Sequence, residues 1–204
     1  GCSEMATALV TGIITMMFNW TMLSYVGEDG VAAVTIIMYV LMFASSLYTG
    51  YSYGVAPMIS YCHGEKNHGK LKKLVGISMK VIAGISVLTV AASFLLTRPL
   101  VSVFARPDNP VYDLAVTGNR ICTAALFFIG FNIFASGMFT ALSNGIVSAV
   151  LAFSRSFVFM LVTMMILPLV FGVNGIWLAT PVAELMALAL SAFMFLKYRK
   201  KYGY

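Results

Sequence analysis

The chain has 204 residues, of which 60% are hydrophobic and 10% are charged, with a formal net charge of +6. Soluble domains carry charge on roughly a quarter of their residues, so this composition and a mean hydropathy of +0.92 exclude a soluble domain. Charge-free runs reach the roughly 20 residues of a spanning helix, and the alternation typical of a closed barrel is lacking from them. We therefore expect an all-α polytopic membrane protein.

Six spanning helices are predicted, separated by polar segments or by breaks that contain Gly or Pro. They cover about residues 5–26, 31–62, 76–97, 121–143, 146–170 and 175–196. The second is longer than one crossing needs and contains Gly50, Gly54 and Pro57 near its middle. We expect these three residues to act as a hinge where the helix bends.

The distribution of Lys and Arg predicts the orientation of the helices. Ten of the 13 basic residues lie on the side that holds both chain ends, the 65–80 segment and the turn between the fourth and fifth helices. By the positive-inside rule, both ends are cytoplasmic. The positive charge then indicates contact with anionic lipid, and no soluble domain remains to bind nucleic acid. Because the chain begins with Gly1 and shows no signal-peptide pattern, we expect further residues before it.

Metal-binding and catalytic patterns are lacking in the sequence. Cys2, Cys62 and Cys122 have no CxxC spacing, so neither a disulfide framework nor a metal site is expected. His63 and His68 lie at the basic border rather than inside a span, and no paired acids or Ser- or His-based nucleophile arrangement lies within one. We do not expect an enzyme.

Polar residues recur every three or four positions in three of the predicted helices, which places them on one face of each helix. They are Glu4, Thr7, Thr11, Thr15 and Asn19 in the first, Asn132, Ser136 and Thr140 in the fourth, and Thr180, Glu184 and Ser191 in the sixth. A single Ser or Thr in a span is explained by a hydrogen bond to its own helix or by a contact between helices. Gly50 and Gly54 are likewise explained by close packing of helices. Three polar faces with two acids favour a water-filled cavity, because exposure to lipid would be costly.

Glu184 and Glu4 are the candidates for binding a proton or a metal cation. Glu184 lies near mid-bilayer, where a carboxylate either pairs with a cation or stays protonated. The alternatives are a structural ion pair with Arg155, the one basic residue well inside a span region, or a bond to backbone freed by Pro181. Glu4 lies toward the cytoplasmic border, where an interfacial charge is the alternative.

Four segments in chain order are similar to the multidrug and toxic compound extrusion (MATE) transporters. They are YVGEDGVAAVTI, GYSYGVAPMISYCHGEKNHGKLKKLV, FTALSNGIVSAVLAFSRSFVF and LPLVFGVNGIWLATPVAEL. The resemblance spans essentially the whole chain, 1–204, and implies one six-helix lobe, the C-terminal one, of a twelve-helix transporter whose N-terminal lobe is its partner. It implies export of organic cations, drugs or other amphipathic compounds in exchange for H⁺ or Na⁺ by alternating access. It also implies that the protein lies in a bacterial plasma membrane and that it needs no cofactor other than the coupling ion.

The resemblance carries over to few of the site residues. Some MATE members use an acid on the helix that matches the first span, where Glu4 lies, but the fourth span has no acid to match members with Asp there. The predicted role of Glu184 in ion binding is therefore drawn from its position in the sequence and not from the resemblance. A lipid-linked saccharide flippase of the same superfamily is one alternative. Such a protein should have several basic residues in its cavity to bind a diphosphate, whereas only Arg155 qualifies here. A membrane scaffold that transports nothing is the other, although it would need no acid within the spans.

Overall fold

A computed structural model describes residues 2–204, with side chains from residue 9 onward. Within this range the chain forms eight α-helices, a π-helical turn and no β-strand. The helices are α1 (Cys2–Tyr25), α2 (Glu28–Gly64), α3 (His68–Leu95), α4 (Thr97–Ser102), α5 (Pro110–Ala141), α6 (Gly145–Phe153), α7 (Met160–Phe171) and α8 (Val173–Tyr202). The π-helical turn, Ser154–Phe159, joins α6 to α7 in one continuous span.

Five of these segments are long and apolar enough to cross a membrane. They are α2, α3, α5, the continuous segment Gly145–Phe171 and α8. The 24-residue α1 precedes them and packs against α2, α7, α8 and the π-helical turn. The prediction of an all-α polytopic membrane protein is confirmed.

Helix α5 lies at the centre of the bundle and packs against α2, α3, α6 and α8. Gly130 permits its close approach to α2, because a Cβ there would lie 2.5 Å from the Tyr48 ring. The fully buried Tyr48 donates a hydrogen bond to the Leu126 carbonyl at 2.9 Å, and its hydroxyl lies 2.6 Å from Thr89 Oγ1. A small residue that admits a neighbouring helix is a common basis of helix association in membranes.

The end of α8 closes one end of the bundle. The His68 ring nitrogen Nδ1 lies 2.8 Å from the Tyr202 carbonyl oxygen, and the Asn144 amide donates to the Tyr202 hydroxyl at 3.0 Å. Gly203 (φ +74°) turns the chain so that the Tyr204 hydroxyl donates back to the Phe195 carbonyl. Burial raises the pKa of the Tyr204 phenol above its ordinary value. These contacts bring the α2–α3 and α5–α6 connections and the chain end to the same side.

Three helix boundaries differ from the predicted ones. Helix α3 begins at His68 rather than at about residue 76, because the Asn67 side chain accepts a hydrogen bond from the Lys70 amide and caps the helix. Helix α5 begins at Pro110 rather than at about 121. The Asn109 side chain caps it by accepting a hydrogen bond from the Val111 amide. Helix α8 continues to Tyr202, through the basic tail. Hydropathy marks the apolar part of each helix, whereas capping sets where it begins.

Candidate functional site

An ion pair between Arg155 and Glu184 lies inside the helix bundle. Arg155 Nε lies 2.8 Å from Glu184 Oε1 and donates to Oε2 at 3.0 Å. Glu184 is eleven residues beyond Val173, which places it about 17 Å along α8, near the middle of a bilayer core of about 30 Å. Its side chain is 7% exposed, whereas that of Arg155 is 23% exposed. The acid is therefore buried, and the cation that neutralises it reaches the surface of the lobe.

Asn132 and Ser191 complete the surroundings of this carboxylate. The Asn132 amide nitrogen donates to Glu184 Oε2 at 2.7 Å and to the Glu184 backbone carbonyl at 2.9 Å. Ser191 Oγ donates to the Asn132 amide oxygen at 3.0 Å. Asn132 and Ser191 are both buried. A hydrogen-bonded chain thus runs from Ser191 through Asn132 to Glu184, and Arg155 binds the same carboxylate. We call these four residues the α5–α8 polar cluster.

Arg155 belongs to the π-helical turn Ser154–Phe159, a feature that hydropathy does not reveal. The turn contacts α1 and α8 as well as the helices on either side of it. Such turns are uncommon in α-helices, and they occur frequently at functional sites. Here the turn presents Arg155 to a carboxylate on the neighbouring helix.

Ser136 and Thr140 form a second polar group with Ser148 of α6, apart from the α5–α8 polar cluster. The Ser148 hydroxyl lies 3.0 Å from Ser136 Oγ and 2.7 Å from Thr140 Oγ1. The three hydroxyls form hydrogen bonds that join α5 to α6, as expected for polar residues between helices in a membrane. Their role in lining a cavity stays a prediction.

The polar face of α1 is described from residue 9 onward, so the side chains of Glu4 and Thr7 lie outside the described residues. Thr11 is exposed, and Thr15 and Asn19 are half-buried. Asn19 lines an open cavity of about 530 Å³ between α1 and α2, which we call the α1–α2 cavity. Its lining residues are Met16, Asn19, Trp20, Leu23, Glu28, Val31 and Ala32.

The proposed hinge residues lie on the exposed side of α2. A Cβ added to Gly50 or Gly54 would meet no described atom within 4 Å, and α2 runs unbroken through Pro57. Neither glycine therefore serves helix packing within the described part of the lobe. Whether the helix bends at these positions stays a prediction.

Sequence reasoning did not single out Ser148 or Glu28 as site residues. Ser148 is an isolated hydroxyl in an apolar helix, and Glu28 lies in the polar segment between the first two predicted helices. Glu28 carries one usable signal, since it is an acid beside the aromatic and apolar residues that end the first span. The π-helical turn around Arg155 has no signal in the pattern of polar and apolar residues.

The fold and the buried ion pair define an α-helical membrane protein with a charged site inside its bundle. The sequence model of the MatE family matches residues 5–166, most of the chain. The chain belongs to the MatE family, whose members are transporters and not enzymes. Among curated proteins no relative was found.

Solved structures of MATE transporters share the fold. An outward-facing multidrug resistance MATE family transporter of the MOP superfamily is 21% identical over 95% of this chain, with a TM-score of 0.85. An inward-facing one is 20% identical over 95% of the chain, with a TM-score of 0.86. A MOP superfamily transporter from Pyrococcus furiosus, described as having a binding pocket of reverse polarity, is 20% identical over 95%, with a TM-score of 0.84. The chain covers 44%, 46% and 43% of these structures, less than half of each.

Proposed function

We propose that the chain is one lobe of a secondary active antiporter that exports organic cations, drugs or other amphipathic compounds in exchange for H⁺ or Na⁺. Membership of the MatE family supports transport. Similar folds described as outward-facing and inward-facing support alternating access. Since the chain covers less than half of those structures, a second lobe, N-terminal in the complete transporter, supplies the other wall of the substrate pathway.

The buried Arg155–Glu184 pair is the observation that carries this proposal. The pair has no net charge, and the site gains one positive charge when H⁺ binds Glu184 or when Na⁺ replaces Arg155 at the carboxylate. In a low-dielectric interior this charge repels an organic cation more strongly than it would in water. The coupling ion and a cationic substrate therefore weaken each other's binding, and such reciprocal competition links the two fluxes.

The unequal burial of the two partners suits this exchange. Glu184 remains inside the bundle, whereas Arg155, at 23% exposure, stays in reach of water after it leaves the carboxylate. Released Arg155 then avoids most of the cost of a charge buried without a partner. Glu4 remains a second candidate for coupling, toward the cytoplasmic end of α1.

The α1–α2 cavity is our candidate for substrate contact within the lobe. Organic cations bind to aromatic and apolar surface that is combined with an acid. Trp20 is 71% exposed and lines this cavity together with Met16, Leu23 and the carboxylate-bearing Glu28. The cavity lies at the end of the lobe opposite the α2–α3 connection, because α2 begins there and ends at the other side.

The alternative functions find less support in these contacts. A lipid-linked saccharide flippase needs several cations free to meet a diphosphate, whereas Arg155 is already bound to Glu184. A scaffold has no need of a buried acid. We place the basic side of the lobe, including both its ends, in the cytoplasm of a bacterium whose plasma membrane holds the protein.

The test is transport of ethidium, a cationic dye, by the complete transporter in proteoliposomes with imposed H⁺ or Na⁺ gradients. We expect either gradient, or both, to drive ethidium against its own gradient, and Glu184→Gln to abolish that response. Glu65→Gln is the matched control, because Glu65 lies at the surface, where it pairs with Lys70 at 3.6 Å. Gradient-driven transport that survives in Glu184→Gln would remove Glu184 from the mechanism.

A further inference from the structure

Two basic runs that are far apart in the sequence meet in the structure. Residues 66–73, which lead into α3, contain four lysines, and residues 197–201, near the end of α8, contain three lysines and one arginine. His68 Nδ1 in the first run lies 2.8 Å from the carbonyl oxygen of Tyr202, the residue after the second run. The His63 and Tyr202 rings also pack edge to face, with centroids 5.5 Å apart. We call the eight cations of the two runs the α3–α8 basic patch.

The contact that joins the two runs depends on a glycine. Gly203 has a φ of +74°, a left-handed conformation that favours glycine. A Cβ at this position would lie 2.5 Å from His68 Nδ1. Tyr202 beside it is buried, and its hydroxyl accepts a hydrogen bond from the Asn144 amide at 3.0 Å. The end of α8 therefore packs specifically against the start of α3.

The α3–α8 basic patch is poor in acids. Its eight cations are all exposed. Among the side chains described from residue 9 onward, Lys70 is the one member that pairs with an acid, Glu65, at 3.6 Å. Lys201 instead lies over the Tyr202 ring, with its Nζ 5.3 Å from the ring centroid. Eight cations and one acid give a net charge of +7, and this repulsion opposes the contact between the runs unless an anion offsets it.

The surface beside the patch indicates which kind of anion it fits. Phe193 and Leu196 of α8 are 56% and 71% exposed and immediately precede the second run. An apolar surface that borders cations at the end of a spanning helix matches an anionic lipid, which has acyl chains as well as a charged headgroup. A soluble polyanion would cover the cations and leave Phe193 and Leu196 uncovered.

We propose that the α3–α8 basic patch binds the headgroup of an anionic phospholipid, and that the bound lipid holds the end of α8 against the start of α3. The positive-inside rule accounts for the number of cations on this side. A topology signal, however, needs no contact between the two runs, whereas a shared headgroup site does. The lipid site does not depend on the role proposed for Glu184.

The experiment measures thermal unfolding of the complete transporter in detergent micelles that contain either phosphatidylglycerol, which is anionic, or phosphatidylcholine, which has no net charge. We expect phosphatidylglycerol to raise the melting temperature by at least about 2 °C relative to phosphatidylcholine, because it binds the folded state. Inorganic phosphate at the same ionic strength should give no such rise, since it has no acyl chains. Equal melting temperatures in the two lipids, or an equal rise with phosphate, would overturn the proposal.

Gly203→Ala tests whether the two runs form one site. This variant keeps all eight cations but places a Cβ against His68, so the rise with phosphatidylglycerol should be largely lost. Gly69→Ala is the matched control, because its Cβ would meet only Asn67 Oδ1, at an ordinary 3.7 Å, and it should keep the rise. An unchanged rise in Gly203→Ala would refute a shared site. Should Gly203→Ala not fold, His68→Ala replaces it with the same expectation, because it removes the bond to Tyr202 and none of the eight cations.

Substitution of charges tests where the lipid binds. Glutamine would replace three lysines of the first run or three of the second, and each triple variant should lose the rise with phosphatidylglycerol. The two sets are Lys70, Lys72 and Lys73, and Lys197, Lys200 and Lys201. The control replaces three exposed arginines at the opposite end of the lobe, Arg98, Arg106 and Arg120, and should keep the rise. Equal losses in the control and in the two lysine variants would exclude the α3–α8 basic patch as the site.

Discussion

Removing the cation of the Arg155–Glu184 pair should destabilise the lobe more than removing the acid. Arg155→Met leaves a carboxylate with 7% exposure, whose remaining hydrogen bond among the described residues comes from the Asn132 amide at 2.7 Å. Loss of one partner from a buried pair costs about 3–5 kcal/mol, and we expect about 3 kcal/mol because Asn132 remains. Glu184→Gln should cost only about 1 kcal/mol, because Arg155 is 23% exposed and reaches water.

A double-mutant cycle tests this reasoning. Free energies of unfolding would be measured in detergent micelles for the complete transporter, for Arg155→Met and Glu184→Gln, and for the double variant. The double variant leaves neither charge unpaired, so it should be more stable than Arg155→Met alone. A coupling energy of about 2 kcal/mol is expected, and a value under about 0.5 kcal/mol would refute a direct interaction between the two side chains.

Two further predictions concern helix packing and substrate contact. Gly130→Ala should destabilise the transporter by about 1–3 kcal/mol, because its Cβ would lie 2.5 Å from the Tyr48 ring. Gly137→Ala is the control: its Cβ would make an ordinary contact with Ser52 at 3.6 Å, so this variant should be neutral or stabilising. Thermal unfolding of the purified variants measures both, and equal melting temperatures would contradict the packing account. Glu28→Gln should weaken ethidium affinity several-fold by removing the acid of the α1–α2 cavity, and the neighbouring Asp29→Asn should not, since Asp29 does not line it. Equal affinities of the two variants in a dye-binding titration would exclude that cavity as the contact.

Much of the fold is predictable because the bilayer imposes a strong constraint on sequence. A helix must satisfy its own backbone hydrogen bonds in lipid, so each apolar run of sufficient length marks a span. The ends of those helices are less predictable, because residues outside the hydrocarbon region are free to be polar and still helical. The lysines after His68 and the basic residues before Tyr202 illustrate this, since a hydropathy pattern treats both groups as loops although both are helical.

The α5–α8 polar cluster shows a different limit. The sequence marks Glu184 and Arg155 as unusual, since each is a charge within an apolar segment. It does not fix the distance between them, which depends on how α8 packs against a π-helical turn. Ser191 and Asn132 lie 59 positions apart, and the periodicity that places each on a polar face carries no information about their bond. Contacts between helices arise from packing, which a single sequence does not specify.

In the mechanism that we propose, Glu184 binds the coupling ion in competition with a cationic substrate. The most direct measurement is the dissociation constant of ethidium for the complete transporter while H⁺ and Na⁺ concentrations are varied separately. For the wild type we expect the affinity to fall as at least one of these ions increases, and for Glu184→Gln we expect the affinity to be independent of both. A Glu184→Gln variant whose ethidium affinity still falls with the same ion as the wild type would contradict this role of Glu184.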